Sequence, residues 1–331
     1  MDASAPLVYR GQALGAYGYA EKPWFLPDVR LAAFEAECAA RGLDARVRWL
    51  EAPAAADDDL ALFHPPAHIA WIRQRCAEDQ GALDHGATLA RRGIEVAARH
   101  VVGAVVDATR RLLAGEARRA FVPIAGFHHA LPDACRSYCL YNDPAIALAL
   151  LRRALPLPVA YVDTDVHCGD GVYAGFAADP EIFLVDLHED HRTLWPHSPE
   201  VPGDGPVAGE VTWIGEGRAR GTKLNLPLPA GATDADFLAA WARARDFIDV
   251  ARPAFIVFVC GADALAGDPL AHLRLTPAAI ARVTADLVDV AERHASGRLL
   301  VLGGGGYHLD NVRAGWPAAL AALVDPAGAQ R

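Results

Sequence analysis

Asp165-Val166-His167 sets a carboxylate and an imidazole two residues apart, and in an extended chain both side chains point to the same side. A carboxylate oxygen and an imidazole nitrogen suit zinc, and a catalytic zinc site takes three protein ligands with one position left open. Asp263, just past another apolar run, is the natural third ligand. His128 and His129 are adjacent imidazoles, fit to act as general acid and base near neutral pH. Asp163 and Asp170 flank the metal segment, and each is expected to take a ring N–H from one of these histidines, which fixes the tautomer and raises basicity. The four glycines at 303–306 allow close backbone approach and positive φ, and they deliver Tyr307, whose hydroxyl is placed to polarise a carbonyl and hold an oxyanion. No Lys-Ser/Thr follows the glycines, so phosphate binding is not indicated. Taken singly, these fragments also suit a solvated strand end, a satisfied core histidine or a core tyrosine. Taken together, they cover each step of amide hydrolysis. Zinc at the three ligands acidifies a water, the histidine pair takes its proton and returns one to the leaving amine, and Tyr307 shares the oxyanion.

The elements that must position these groups are short, apolar, β-branched runs, expected as strands at 120–124, 159–162, 182–187, 255–260 and 299–302. Helical patterns at 94–114, 144–154, 234–250 and 277–295 separate them. The alternation predicts an α/β fold with a mostly parallel central sheet and helices on both faces. Continuous rather than alternating apolar strands fit a sheet buried on both sides. Four of the runs lead straight into 126–129, 163–167, 261–263 and 303–307. In an open α/β sheet, ligands bind at the carboxyl ends of the strands, so four strands are expected to bring this chemistry to one edge.

Composition narrows the field further. The chain has 331 residues, 53% of them hydrophobic, and a formal charge of −10. There is no repeat, charge block or long linker, and one domain over 1–331 is expected; the Pro/Ala/Asp stretch at 52–59 reads as a surface loop. Without a basic footprint, nucleic acid is not an expected partner. The N-terminus lacks the basic and apolar regions of a signal peptide, and no apolar stretch approaches the ~18 residues of a membrane span. The six scattered cysteines then read as reduced, mostly buried thiols of a cytoplasmic protein, and richness in Ala and Arg suggests a GC-rich bacterial source.

From about residue 93 to 316 the sequence resembles the histone deacetylase and acetylpolyamine amidohydrolase family, whose fold is related to arginase. The resemblance rests on Gly-Phe-His-His-Ala at 126–130, Tyr-Asn-Asp at 141–143 and Asp-Thr-Asp-Val-His-Cys-Gly-Asp-Gly-Val at 163–172. It continues with Gly-Ala-Asp-Ala-Leu-Ala-Gly-Asp-Pro at 261–269 and Gly-Gly-Gly-Gly-Tyr at 303–307. It implies Asp165, His167 and Asp263 as ligands of one zinc ion per chain. It makes His128 and His129 the catalytic pair, backed by Asp163 and Asp170, and Tyr307 the oxyanion donor. It also implies a structural potassium ion held by Asp163, Asp165, His167, Asp186 and Leu187. Iron or cobalt suits the same zinc donors, since availability decides occupancy.

The departures from the family pattern bear on substrate. Ser137-Tyr138 stands where a Gly-Phe tunnel wall is usual, Trp195 before Pro196 stands for the opposite Phe, and Leu270 matches the apolar wall after Gly-Asp-Pro. Aromatic walls of this kind still grip a linear alkyl chain. Cys168 replaces a common His and is expected to be a small apolar filler, and Asp186 replaces a frequent Ser at the potassium position. In the N-terminal third, Arg30 is the residue the resemblance associates with an inner channel, and Asp84 is the nearest counterpart of the aspartate that binds substrate backbone. With no long insertion to constrict the mouth, an acyl-lysine protein, peptide or small molecule is the expected substrate. An acetylpolyamine or other small acylated amine is the alternative, and homo-oligomerisation is compatible with either. A two-manganese, arginase-like site calls for more carboxylates, and an inactive acyl-binding protein would have lost one of the central residues.

Overall fold

A computed structural model of the chain describes residues 4–196 and 209–329. Its strands are β1 (Leu7–Arg10), β2 (Arg48–Glu51), β3 (Arg119–Val122), β4 (Val159–Asp163), β5 (Ile182–Glu189), β6 (Lys223–Leu228), β7 (Phe255–Val259) and β8 (Leu299–Leu302). They form one eight-stranded sheet in the order β2-β1-β3-β8-β7-β4-β5-β6. Every pairing is parallel. The expected architecture holds, and it is fully rather than mostly parallel.

The five strands read from sequence include the four central ones, β3, β8, β7 and β4. β4, β7 and β8 are buried from end to end, which is why their sequences are unbroken apolar runs. The run at 120–124 stops early as a strand because Pro123 has no N–H for the ladder.

The long helices pack in two layers. Val29–Ala40, Asp234–Ala251, Pro277–His294 and Leu309–Val324 lie together, and Pro66–Glu78, Ile94–Leu113 and Asp143–Ala154 form the other group. Ile94–Leu113 buries Ile94, Ala97, Ala98, Val101, Val105, Ala108 and Leu112, a three-and-four spacing that turns one face to the core. At the start of Asp143–Ala154, the Asn142 side chain accepts the Ala145 N–H and caps the helix.

Register sets the level of the working edge. Val122 pairs with Leu302, Leu302 with Val259, and Val259 with Asp163, so four adjacent strands end together. Chain order jumps from β3 to β4 across β8 and β7, and this edge is where the sheet's winding reverses.

Candidate active site

The loops leaving β4 and β7 bring three ligand-type side chains together. His167 Nδ1 lies 3.2 Å from Asp165 Oδ1 and 3.3 Å from Asp263 Oδ2. Asp263 is fully buried, and its Oδ2 has no hydrogen-bond partner. A buried carboxylate oxygen without a donor is costly. Aimed at an imidazole nitrogen and a second carboxylate, it marks a place for a cation, and the two-oxygen, one-nitrogen donor set suits zinc. Burial and the neighbouring Asp165 hold the Asp263 carboxyl above its usual range. His167 loses basicity to burial, but Asp165 and Asp263 outweigh this and lift it to about 10. The other Asp165 oxygen accepts the Gly305 N–H at 2.6 Å. A Cβ on Gly305 would fall 2.0 Å from Asp263 Oδ2, so only glycine lets the backbone cross here.

The histidine pair stands beside this cluster. His128 Nδ1–H donates to Asp163 Oδ2 at 2.8 Å, and His129 Nδ1–H donates to Asp170 Oδ1 at 2.7 Å. Because the carboxylates only accept, both Nε2 atoms face inward, 3.0 Å apart. Burial lowers His128, yet Asp163 and Asp165 raise it to about 10; burial and the charge on His128 press His129 down to about 4. The expected pairing of both aspartates with both histidines is therefore present. Asp163 also takes the Tyr161 hydroxyl at 2.5 Å and the Asp165 N–H at 3.0 Å.

Tyr307 closes the site. It lines one cavity with Asp165, His167, His128, His129 and Tyr138. Burial and the two carboxylates push its pKa up, which keeps it a hydroxyl donor. Its backbone is fixed by Asp268, whose Oδ2 accepts the Tyr307 N–H at 2.8 Å.

Several positioning residues carried no signal of their own in the sequence. Asp143 accepts the Gly126 and Phe127 N–H groups at 2.8 and 2.9 Å, and Asn142 Nδ2 donates to the His128 and Ala130 carbonyls at 3.0 and 2.9 Å. The Tyr-Asn-Asp segment is thus a clamp on the histidine loop. Asp268 does the same for the Tyr307 backbone, and the Tyr161 hydroxyl holds the Asp163 carboxylate. The motifs around Asn142, Asp143 and Asp268 were visible, but a side chain's service to a distant backbone is not. Phe25 also lines the cavity, and nothing in its local sequence announced that.

The expected walls are placed unevenly. Tyr138 lines the cavity, and the Trp195 ring sits 4.7 Å from that of His129 and 6.5 Å from that of His167. Leu270 is half-buried and does not line this cavity; its N–H donates to Asp268 Oδ1 at 3.0 Å. Ser137 and Tyr138 have φ of 44° and 66°, forming a tight turn in which the Arg136 and Cys139 N–H groups donate to each other's carbonyls. Asp84 supports that turn by accepting the Ser137 N–H at 2.9 Å, and also accepts the Gly86 and Thr88 N–H groups and the Thr88 hydroxyl. Its oxygens thus already serve the chain's own loops. Arg30 is buried, donates to the Gly304 carbonyl at 2.7 Å and lines the cavity.

Cys168, Asp186 and His188 form a second buried group of ligand-type atoms. Asp186 Oδ1 accepts from His188 Nδ1 at 2.6 Å, and Oδ2 accepts the Gly169 N–H at 2.9 Å. Asp186 thus lies next to Gly169, with its carboxylate turned to these donors. Leu187 follows it on β5, fully in the core.

A set of side chains that can hold a cation, move a proton and donate to an oxyanion, placed where parallel strands end, defines a hydrolase. Comparison with known proteins makes this specific. The histone deacetylase domain profile matches residues 26–323. A histone deacetylase-like amidohydrolase of Pseudomonas aeruginosa is 34% identical over 269 residues, covering 80% of this chain and 68% of that protein. Histone deacetylase 8 of Xenopus tropicalis is 30% identical over 293 residues, covering 86% and 75%. Acetoin utilization protein AcuC of Bacillus subtilis is 29% identical over 263 residues, covering 77% and 65%. A crystal structure of the HDA15 HD domain superposes with a TM-score of 0.85 at 24% identity, over 97% of this chain and 89% of that one, a likeness of fold. The chain belongs to the histone deacetylase family.

Proposed function

We propose that this chain is a zinc-dependent deacylase that removes a small acyl group from the side-chain amine of lysine. The observation that carries the reading is the convergence on one cavity of Asp165, His167, His128, His129 and Tyr307. Asp165, His167 and Asp263 would hold the zinc ion, and the unpartnered Asp263 oxygen supports that fit. When bound, zinc supplies Lewis-acid polarisation of the amide carbonyl and lowers the pKa of the attacking water from about 15.7 to about 7.

The protein's own groups do the rest. With Nδ1 of His129 tied to Asp170, its inward Nε2, which faces His128 Nε2 at 3.0 Å, is the ring position set to take a proton from water as attack proceeds. His128, tied to Asp163, holds the other inward Nε2 and is set to return a proton to the departing amine nitrogen. Tyr307, with its phenol kept protonated, donates to the oxygen on which negative charge develops. Trp195 and Tyr138 are the walls along which an alkyl chain would lie. A potassium ion near Asp163, Asp165, His167, Asp186 and Leu187 belongs to the same reading as a structural support.

The test is hydrolysis by zinc-loaded protein of a panel of acetyl-, butyryl- and decanoyl-lysine peptides, set beside acetylated polyamines. Fastest turnover of acetyl-lysine is expected. Preference for the polyamines would move the substrate to the small amines, and silence on the whole panel would overturn the deacylase reading.

A further inference from the structure

Arg136 has no part in the chemistry described so far, yet it touches three pieces of it. Its backbone opens the tight turn that carries Ser137 and Tyr138 into the cavity wall. Its Nε lies 2.9 Å from Asp170 Oδ2, while the other Asp170 oxygen receives His129 Nδ1–H at 2.7 Å. Its guanidinium carbon sits 5.0 Å from the centroid of the Trp195 ring, and that ring packs edge-on against His129. The Asp170 side chain is 6% exposed and that of Arg136 20%, so the pair is largely shielded from water.

A lone carboxylate behind an imidazole is free to rotate about its own bonds. An ion pair at the opposite oxygen restricts that freedom and steadies the plane in which the imidazole N–H must lie. The guanidinium over the indole steadies the ring as well, and lysine cannot reproduce that planar contact. One side chain thus ties the orientation of His129 to that of the wall an incoming alkyl chain would slide past.

We propose that Arg136 is a positioning residue that holds the His129–Asp170 pair and the Trp195 wall in one fixed arrangement. This rests on the deacylase reading. Misplacing a proton-transfer group by about 1 Å costs on the order of a hundredfold in rate, so the effect falls on turnover more than on binding.

The test compares Arg136→Met, Arg136→Lys and Arg136→Ala with the wild type on one acetyl-lysine peptide that the wild type hydrolyses. An inactive wild type would strike at the reading itself, whereas an active one isolates Arg136. For Arg136→Met, kcat is expected to fall at least tenfold, with KM within threefold and zinc content and Tm close to wild type. Arg136→Lys should recover only a minor part, and low-millimolar methylguanidinium should restore activity to Arg136→Ala. In a Trp195→Phe background the Arg136→Met loss should shrink, since part of what Arg136 holds has been removed. Unchanged kcat in Arg136→Met would overturn the proposal. So would a loss of rate that tracks loss of zinc or of Tm and that methylguanidinium does not rescue.

Discussion

Single side chains in this site are separable by what they leave behind when removed. Tyr307 touches neither Asp165 nor Asp263 by any hydrogen bond, and Asp268 holds its backbone. Tyr307→Phe is therefore expected to keep one zinc per chain while kcat falls by roughly 10²–10³-fold, the usual cost of one oxyanion donor. Steady-state kinetics beside metal analysis checks this, and full activity would remove Tyr307 from the mechanism. Ser137 makes a different kind of prediction. Its φ of 44° places a side chain where glycine is at ease, although Asp84 holds its N–H in position. Ser137→Gly should stabilise the fold by about 1 kcal/mol, read from the urea midpoint, because it relieves a left-handed conformation without removing a bond. The proposed ligand and proton-transfer residues were legible in the sequence because unlike chemistry recurred directly after apolar runs. Asp84 was read only as a substrate-backbone residue, and Asp143 and Asp268 only as parts of motifs; their service to backbone N–H groups was not legible, because every sequence has such groups.

At the level of elements, legibility followed the length and continuity of apolar runs. β3, β4, β5, β7 and β8 were read from such runs, whereas β1, β2 and β6 were not; β1, Leu-Val-Tyr-Arg, is buried over its first three residues but too short to stand out. β2 reads Arg-Trp-Leu-Glu at one edge of the sheet, half-buried, with charged residues at both ends. β6 at the opposite edge reads Lys-Leu-Asn-Leu-Pro-Leu, broken by a lysine, an asparagine and a proline. Its Lys223 is nonetheless buried, with the ammonium on the Asp179 and Ile182 carbonyls at 2.9 and 2.5 Å, a solution no pattern of polarity foretells. The Leu309–Val324 helix was hidden in the same way by Pro317 in its interior.

His64 ties the segment before the Pro66–Glu78 helix to the cap of Asp143–Ala154. His64 Nδ1–H donates to the Pro132 carbonyl, and Nε2 accepts the Asn142 N–H, both at 2.9 Å. Burial lowers its pKa from 6.5 to about 4. The unfolded chain takes up this proton first as pH falls, so the stability His64 contributes is full above about 6.5 and gone below about 4. On the order of 3 kcal/mol is at stake. Urea midpoints from pH 7 to 4 should fall more steeply for the wild type than for His64→Gln, which does not titrate. Parallel curves would show that His64 is not held neutral.

For the whole molecule, fold class came from the alternation of runs, and the comparisons agree over nearly the full length. What the sequence left open is what a tertiary structure alone defines: which strands are neighbours, and which N-terminal residues reach the cavity. Phe25 and Arg30 arrive there from the N-terminal segment, where no motif was read from the sequence although the family match begins at residue 26. No helix among the described residues is long and apolar enough to cross a membrane. A cation bound among buried carboxylates couples site and fold, since a ligand that binds only the folded state stabilises it by about 4 kcal/mol at a thousandfold excess over its Kd. Chelation should therefore lower Tm measurably, and Asp263→Ala should already sit at the lower value and show no further response.

The most direct test of the account is a titration of metal-stripped protein with zinc, with metal content and deacetylation of an acetyl-lysine peptide followed on the same samples. The account predicts activity that rises linearly to one equivalent, and no high-affinity zinc or activity in Asp165→Ala and Asp263→Ala. Turnover in the stripped protein equal to that of the loaded one, or full activity in either variant, would contradict the assignment of Asp165, His167 and Asp263 as the metal site on which catalysis depends.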